Sequence, residues 1–383
     1  MGWERTRTEE VELSAPPSLS RWLFAGALMV IIGVLFFIMH ASGSVKAISS
    51  LNVWWFSLAP VGGWLLLFCI RSYLWGRKVN EYQFLRKEAD YAQQQWEKWA
   101  ERHLVILSSV ILLPDKITAP ALMQEREQQY GLTRRIDYLP VVPDAKTIKI
   151  VLNGIDDTLK KLPVDLPLQV TLLVDVDSDG ITEAFSFAWQ ELFPHLPMPA
   201  VVTTTDSLPF ARLEERIKQP LLSVELVLVM QFNGANRYSD ALAALLLTTD
   251  DVAQKYQLPH TARLYRPMPI DMAAFDADIT LFLRTQTIAC KTTLILGDVR
   301  AWTEMCAALI TQGGKVKTQW KAKDILLMEK WCGIPGPYSS WLLTALATDL
   351  VRIHKPSLLA LFTDDREHFV CTIASGSEDE YTG

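Results

Sequence analysis

The chain has 383 residues, of which 50% are hydrophobic and 21% charged, with a formal net charge of −6. This length and composition allow two or three folded domains and exclude a largely disordered chain. The acidic balance argues against a nucleic-acid surface. Five scattered cysteines without a CxxC pair exclude a disulfide framework, a zinc ribbon and a thioredoxin-type centre.

An N-terminal tail, residues 1–20, leads into Trp22–Met39, WLFAGALMVIIGVLFFIM, which carries no charge. As a helix it rises about 27 Å, near the thickness of a bilayer's hydrocarbon core. Leu51–Ile70 is also uncharged, and its Pro60, Gly62 and Gly63 are tolerable where neighbouring helices satisfy freed backbone groups. A transmembrane hairpin is therefore expected over residues 21–76. A cleavable signal peptide fits poorly, because an acidic tail precedes the first run and a second apolar run follows it. Arg5, Arg7 and Arg21 flank the hairpin on one side and Arg71, Arg77, Lys78, Arg86 and Lys87 on the other, with only Lys46 between the runs. The positive-inside bias thus puts both termini in the cytoplasm, with the chain in the inner (plasma) membrane.

Residues 77–103 form a predicted linker helix. Tyr82, Leu85, Ala89, Ala92, Trp96, Trp99 and His103 recur at steps of three and four, which places them on one stripe. The stripe is expected to pack on the domain that follows. Trp96 and Trp99 are also the candidate anchors of a partner-binding seam.

From residue 104 to 375, apolar β-branched runs alternate with amphipathic stretches, the pattern of an α/β domain with a mixed sheet covered on both faces. A flexible acidic tail, 376–383, closes the chain. Among the expected strands are Leu104–Leu113, Thr147–Leu152, Leu168–Val176 and Lys315–Thr318, and the Pro-rich Arg266–Pro269 is expected to be a connection. Leu168–Thr248 and Thr293–Ala374 share the order strand, helix, strand, helix, two strands, which suggests two related halves.

Three stretches resemble condensing enzymes of the thiolase-like fold. YSDALAALLLT (Tyr238–Thr248) is similar to the small-residue strand that closes the first half of ketosynthases. Cys332–Asp365, beginning CGIPGPYSS, and HFVCTIAS (His368–Ser375) are similar to the helix and closing strand pair of the second half. The resemblance spans Lys146 to Ser375. It implies a nucleophilic cysteine at a helix N-terminus in the first half and two histidines, or an equivalent pair, in the second. The matching TTTDSLPFARLEE (Thr203–Glu215) has no cysteine, and LGDVRAW (Leu296–Trp302) and CGIPGPYSS have no histidine. A degenerate, non-catalytic domain is the expectation.

DVDSDG (Asp175–Gly180) spaces Asp175, Asp177 and Asp179 like the first half of an EF-hand loop. The twelfth position is Ser186 rather than glutamate, and a strand precedes the loop, so a strand-to-helix turn with weak cation candidates is expected. Cys332, beside Gly333, has no histidine near it in sequence. Phosphate-binding, dinucleotide-binding, serine-elbow and HExxH signatures are absent, and no cofactor is expected.

A membrane-anchored chain with such a cytoplasmic part, and the segment Tyr73–His103 in particular, resembles accessory proteins of bacterial type VI secretion clusters. The resemblance implies an adaptor at the lipid bilayer that recruits other proteins, effectors or machinery components. The alternative is a membrane-associated acyl-transfer or lipid-modifying enzyme of thiolase-like fold.

Overall fold

A computed structural model describes residues 3, 13, 15–42, 52–124, 129–137, 139, 143–176, 180–219, 221–354, 357–364 and 367–376. The chain divides into two compact units, Thr6–Gln95 and a larger one made of Met1–Arg5 with Trp96–Gly383.

The smaller unit holds helix α1 (Leu19–Ala41) and most of α2 (Val53–Ala100). Both are long and apolar enough to cross a membrane. The second apolar run and the amphipathic linker are one continuous helix of 48 residues, which passes through Pro60 without ending. Small residues let the two helices approach. A Cβ at Gly26 would come within 2.7 Å of the Trp64 indole, and one at Gly33 within 2.6 Å of the Ser57 carbonyl oxygen. Trp64 Nε1 donates to the Trp22 carbonyl at 3.1 Å, and Phe36 stacks on Phe56 at 4.7 Å. Leu23, Phe24, Ile31, Leu35, Trp55 and Leu66 are exposed. An apolar surface of that kind is unfavourable in water. Gly33→Leu should push α1 off the α2 backbone, lowering hairpin stability by about 1–3 kcal/mol, as read by loss of helicity on titrating detergent-solubilised protein with SDS.

The first half of the larger unit runs β1 (His103–Leu112), α3 (Ala119–Leu122), α4 (Ala145–Asn153), α5 (Asp156–Leu159), β2 (Leu168–Val174) and α6 (Ile181–Leu192). It continues through β3 (Val201–Thr205), α7 (Arg212–Lys218), β4 (Val224–Gln231), β5 (Ala241–Thr249) and α8 (Asp250–Lys255). The second half runs β6 (Ala262–Tyr265), β7 (Met268–Ile270), α9 (Phe275–Thr285), β8 (Leu294–Gly297) and α10 (Cys306–Lys315). It ends with β9 (Ile325–Leu327), α11 (Glu329–Cys332), α12 (Ser339–His354), β10 (Leu358–Asp364) and β11 (Glu367–Ser375).

Strand order among the described residues is β3-β2-β4-β5-β1-β6-β11-β10-β8-β9, with β7 also on β11. The first half therefore reads β3-β2-β4-β5-β1 and the second β9-β8-β10-β11-β6. In each half the first two pairings are parallel and the next two antiparallel. The antiparallel pair β1/β6 joins them. The α/β class, the mixed sheet and the two related halves are all present.

Strands buried on both faces need continuous apolar runs. In β5, Ala241, Ala243, Leu245 and Leu247 join the cluster around α12, whereas Leu242, Ala244 and Leu246 join the one containing Ile148 of α4 and Phe185 of α6. In the second half, Leu358, Ala360 and Phe362 join the α12 cluster, and Leu359 and Leu361 pack with Phe282 of α9 and Leu309 of α10. Helix α12 is thus covered by both halves and buried around nearly its whole circumference. Two of its hydroxyls are satisfied within the helix: Thr344 Oγ1 donates to the Ser340 carbonyl and Thr348 Oγ1 to that of Thr344, both at 2.8 Å.

Three expectations are corrected. Thr147–Leu152 is helical: Asp144 accepts from Thr147 N at 2.8 Å and caps α4, and Ile148, Val151 and Leu152 supply a helical, not alternating, buried face. Lys315–Thr318 ends α10 and turns, and the strand of that region is β9. Arg266–Pro269 is not a mere connection, since β7 pairs Pro269 opposite Phe369. A charge conceals the passage from β6 to β7. Arg266 is fully buried, 4.1 Å over the Trp99 ring, and ion-paired to Glu214 Oε1 at 3.2 Å.

Candidate functional site

The stretches singled out by the condensing-enzyme resemblance do meet. Tyr338 OH, at the start of α12, donates to the Asp206 carbonyl at 2.9 Å, and Trp341 Nε1 donates to that of Leu208 at 2.8 Å. Phe210 N donates to Asp364 Oδ2 at 2.6 Å. Just ahead of α7, within the stretch Thr203–Glu215, lies Phe210. Its ring is fully buried, 4.2 Å from Phe362 and 5.4 Å from Trp341. The histidine that opens HFVCTIAS also reaches this region. His368 of β11 lies edge-on to Trp302 at 5.5 Å, with Nδ1 3.2 Å from Thr363 Oγ1, and burial lowers its pKa.

Beneath His368 and Trp302 sits Asp298, fully buried. Oδ1 accepts from Val299 N and Trp302 Nε1, each at 2.8 Å, and Oδ2 accepts from Thr363 N at 2.8 Å, with Ser339 Oγ 3.0 Å away. Burial outweighs these donors and pushes the carboxyl up to about 6. Asp175 is its counterpart in the first half. Each aspartate follows the second strand of its half and donates its backbone N–H to the neighbouring strand, Asp175 to the Met230 carbonyl and Asp298 to that of Leu361. Each carboxylate then accepts from the N–H two residues further on, Phe232 for Asp175 and Thr363 for Asp298. The duplication is therefore visible at single residues as well as in element order.

This geometry assigns Asp175 a clamping role. Its oxygens also accept from Asn233 N at 2.8 Å and Tyr238 OH at 3.0 Å. Asp177 and Asp179 lie outside the described residues. No group of three or more metal-ligating side chains occurs among the described residues. Cys332 is buried, and burial pushes its thiol up to about 12. Trp99 packs inside its own unit, between the Arg266 guanidinium and Trp3, with Trp96 edge-on to it at 5.3 Å. The stripe of the linker helix thus ends on the domain.

A cleft of about 770 Å³ lies elsewhere, between the end of α3 in the first half and β9 and α11 in the second. Leu122, Met123, Ile325 and Leu327 give it apolar walls, and Arg300, Lys323 and Lys330 line it with three cations. Glu329, buried in α11, ties the surroundings together: it accepts from Arg300 N at 2.6 Å and from Gly131 N at 3.2 Å. The Arg300 guanidinium lies 5.2 Å over the Tyr130 ring. Cys306, the first residue of α10, also lines the cleft. Its Sγ donates to the Trp302 carbonyl at 3.3 Å, and burial raises its pKa. Sequence reasoning missed this site because its cations come from three separate segments that follow no common spacing.

No protein-family model and no curated protein matches the chain. Solved structures do. A type II polyketide ketosynthase, solved with its acyl-carrier protein (AntDE:AntF), is 9% identical over 72% of this chain and 99% of its own, with a TM-score of 0.47. Cerulenin-bound OleA of Xanthomonas campestris is 11% identical over 72% and 99%, with a TM-score of 0.44. The 3-oxoacyl-(acyl carrier protein) synthase III FabH of Pseudomonas aeruginosa is 11% identical over 72% and 98%, at 0.41. At such identities the likeness is one of fold and assigns no substrate. The neighbours include synthases, which runs against the expectation of a non-enzyme.

Proposed function

We propose that the chain is a membrane-tethered acyl-transfer protein whose α/β domain takes an acyl substrate with an anionic head into the cleft at Arg300, Lys323 and Lys330. The observation that carries this reading is the pairing, in one cleft, of aliphatic walls for a chain, three cations for a head group, and a thiol. A volume of about 770 Å³ suits a ligand of that size. Cys306 is the proposed acyl acceptor. Its raised pKa means that the proton must leave as the thioester is attacked, so uptake should quicken with pH. The uncharged outer faces of α1 and α2 insert into lipid, and the basic flanks keep the domain on the cytoplasmic side of the inner membrane. Effector or baseplate partners have no contact or surface among the described residues that favours them.

The test uses full-length protein in lipid nanodiscs with palmitoyl-coenzyme A. The expected result is saturable binding, consumption of thioester, and an acyl mass adduct that Cys306→Ser abolishes. The double variant Lys323→Glu, Lys330→Glu should weaken binding by roughly tenfold or more, through reversal of two charges at the head-group end. Binding of a neutral acyl ester should be unchanged. No saturable binding and no thioester loss would sink the reading.

A further inference from the structure

Trp3, which precedes α1 in the chain, packs in the larger unit. Trp3 is only 7% exposed, and its ring is 5.1 Å edge-on to Trp99 and 5.6 Å from Phe282 of α9. The socket is braced by contacts that do not involve Trp3. Arg266 Nε donates to the Trp99 carbonyl at 3.0 Å, and Gln286 Nε2 donates to the Ala100 carbonyl at 2.8 Å. The buried Trp3 indole N–H has no hydrogen-bond partner among the described residues. Ring burial, not a polar contact, is therefore what retains it, and a buried indole is among the largest apolar contributions a single side chain makes.

We infer that Trp3 plugs a preformed aromatic socket of its own chain, which forces the polypeptide to leave and re-enter one aqueous compartment. Residues Met1–Arg5 and Trp96–Gly383 form one unit, and the two helices able to cross a membrane lie between them. An indole cannot touch Phe282 across a bilayer. The number of crossings between residues 3 and 96 is therefore even. This conclusion rests on the membrane reading of α1 and α2, but it is independent of the distribution of basic residues. A hairpin of two spans satisfies it, and one span with a re-entrant α2 does not.

Two measurements on the full-length chain test it. Trp3→Ala should lower the unfolding midpoint of the domain by roughly 5 °C, with Trp3→Phe recovering most of the loss. In sealed vesicles, an epitope inserted between Glu9 and Glu10 and another appended after Gly383 should be digested from the same side. Digestion from opposite sides overturns the topology, and an unchanged midpoint in Trp3→Ala overturns the socket. A midpoint that depends on protein concentration would put Trp3 in a second copy and overturn closure within one chain. These readouts do not depend on acyl turnover. Release of the protein by carbonate washing would instead defeat the membrane reading and leave the Trp3→Ala loss standing.

Discussion

Phe210→Ala should destabilise the α/β domain by about 3–5 kcal/mol, the range for removing a large aromatic ring from a packed core. Phe210 has no exposed surface, and Phe362, Trp341 and Phe369 all lie within 6.3 Å of its ring centre. Collapse around the deletion is restricted, because the loop is fixed from the second half by Tyr338, Trp341 and Asp364. The loss should appear as a lower denaturant midpoint with an unchanged slope. A loss below 1 kcal/mol would mean that the aromatic cluster is loose and that the space ahead of α7 is available to a ligand.

Asp298→Ala should be comparably damaging, at roughly 3–5 kcal/mol, because the N–H groups of Val299, Thr363 and Trp302 lose their acceptor in a site without water access. The same residue gives stability a pH dependence. Its folded pKa, about 6, lies above the ordinary carboxylate value of 3.8, so the folded chain holds a proton that the unfolded chain has already released. Its contribution is full below about pH 4, falls as pH rises toward 6, and is flat above that. The span is on the order of 3 kcal/mol. Asp349, also raised to about 6 by burial, adds a slope of the same sign. Unfolding titrations between pH 4 and 7 should therefore show wild type losing stability with pH and Asp298→Asn losing less. Asp175→Ala, at the symmetric but half-exposed position, should be milder.

What the sequence made legible follows from which interactions are local. Helices α1 and α2 were readable because each carries a long uncharged run. β4, β5, β10 and β11 were readable because a strand covered on both faces must be apolar throughout, as ALAALLLTT is. α4 was misread because six residues of IKIV type suit either period, and Asp144 decides the matter through a cap. The passage from β6 to β7 was hidden because its buried Arg266 is stabilised by Glu214 and Trp99, 52 and 167 residues away. The candidate cleft fared worst. Arg300, Lys323, Lys330 and Cys306 become neighbours only through the tertiary fold, and a count of motifs has nothing to register.

The shared central helix has a consequence for the duplication. α12 belongs by order to the second half, yet it packs on β1 and β5 of the first, and β1 itself hydrogen-bonds to β6. Neither half therefore owns a complete interior. Cut at the boundary, the first piece would present the face of its sheet to solvent and the second a flank of α12. The ancestral repeat survives as a pattern of strands and a pair of clamping aspartates, but it no longer corresponds to two units that could melt, or be made, separately.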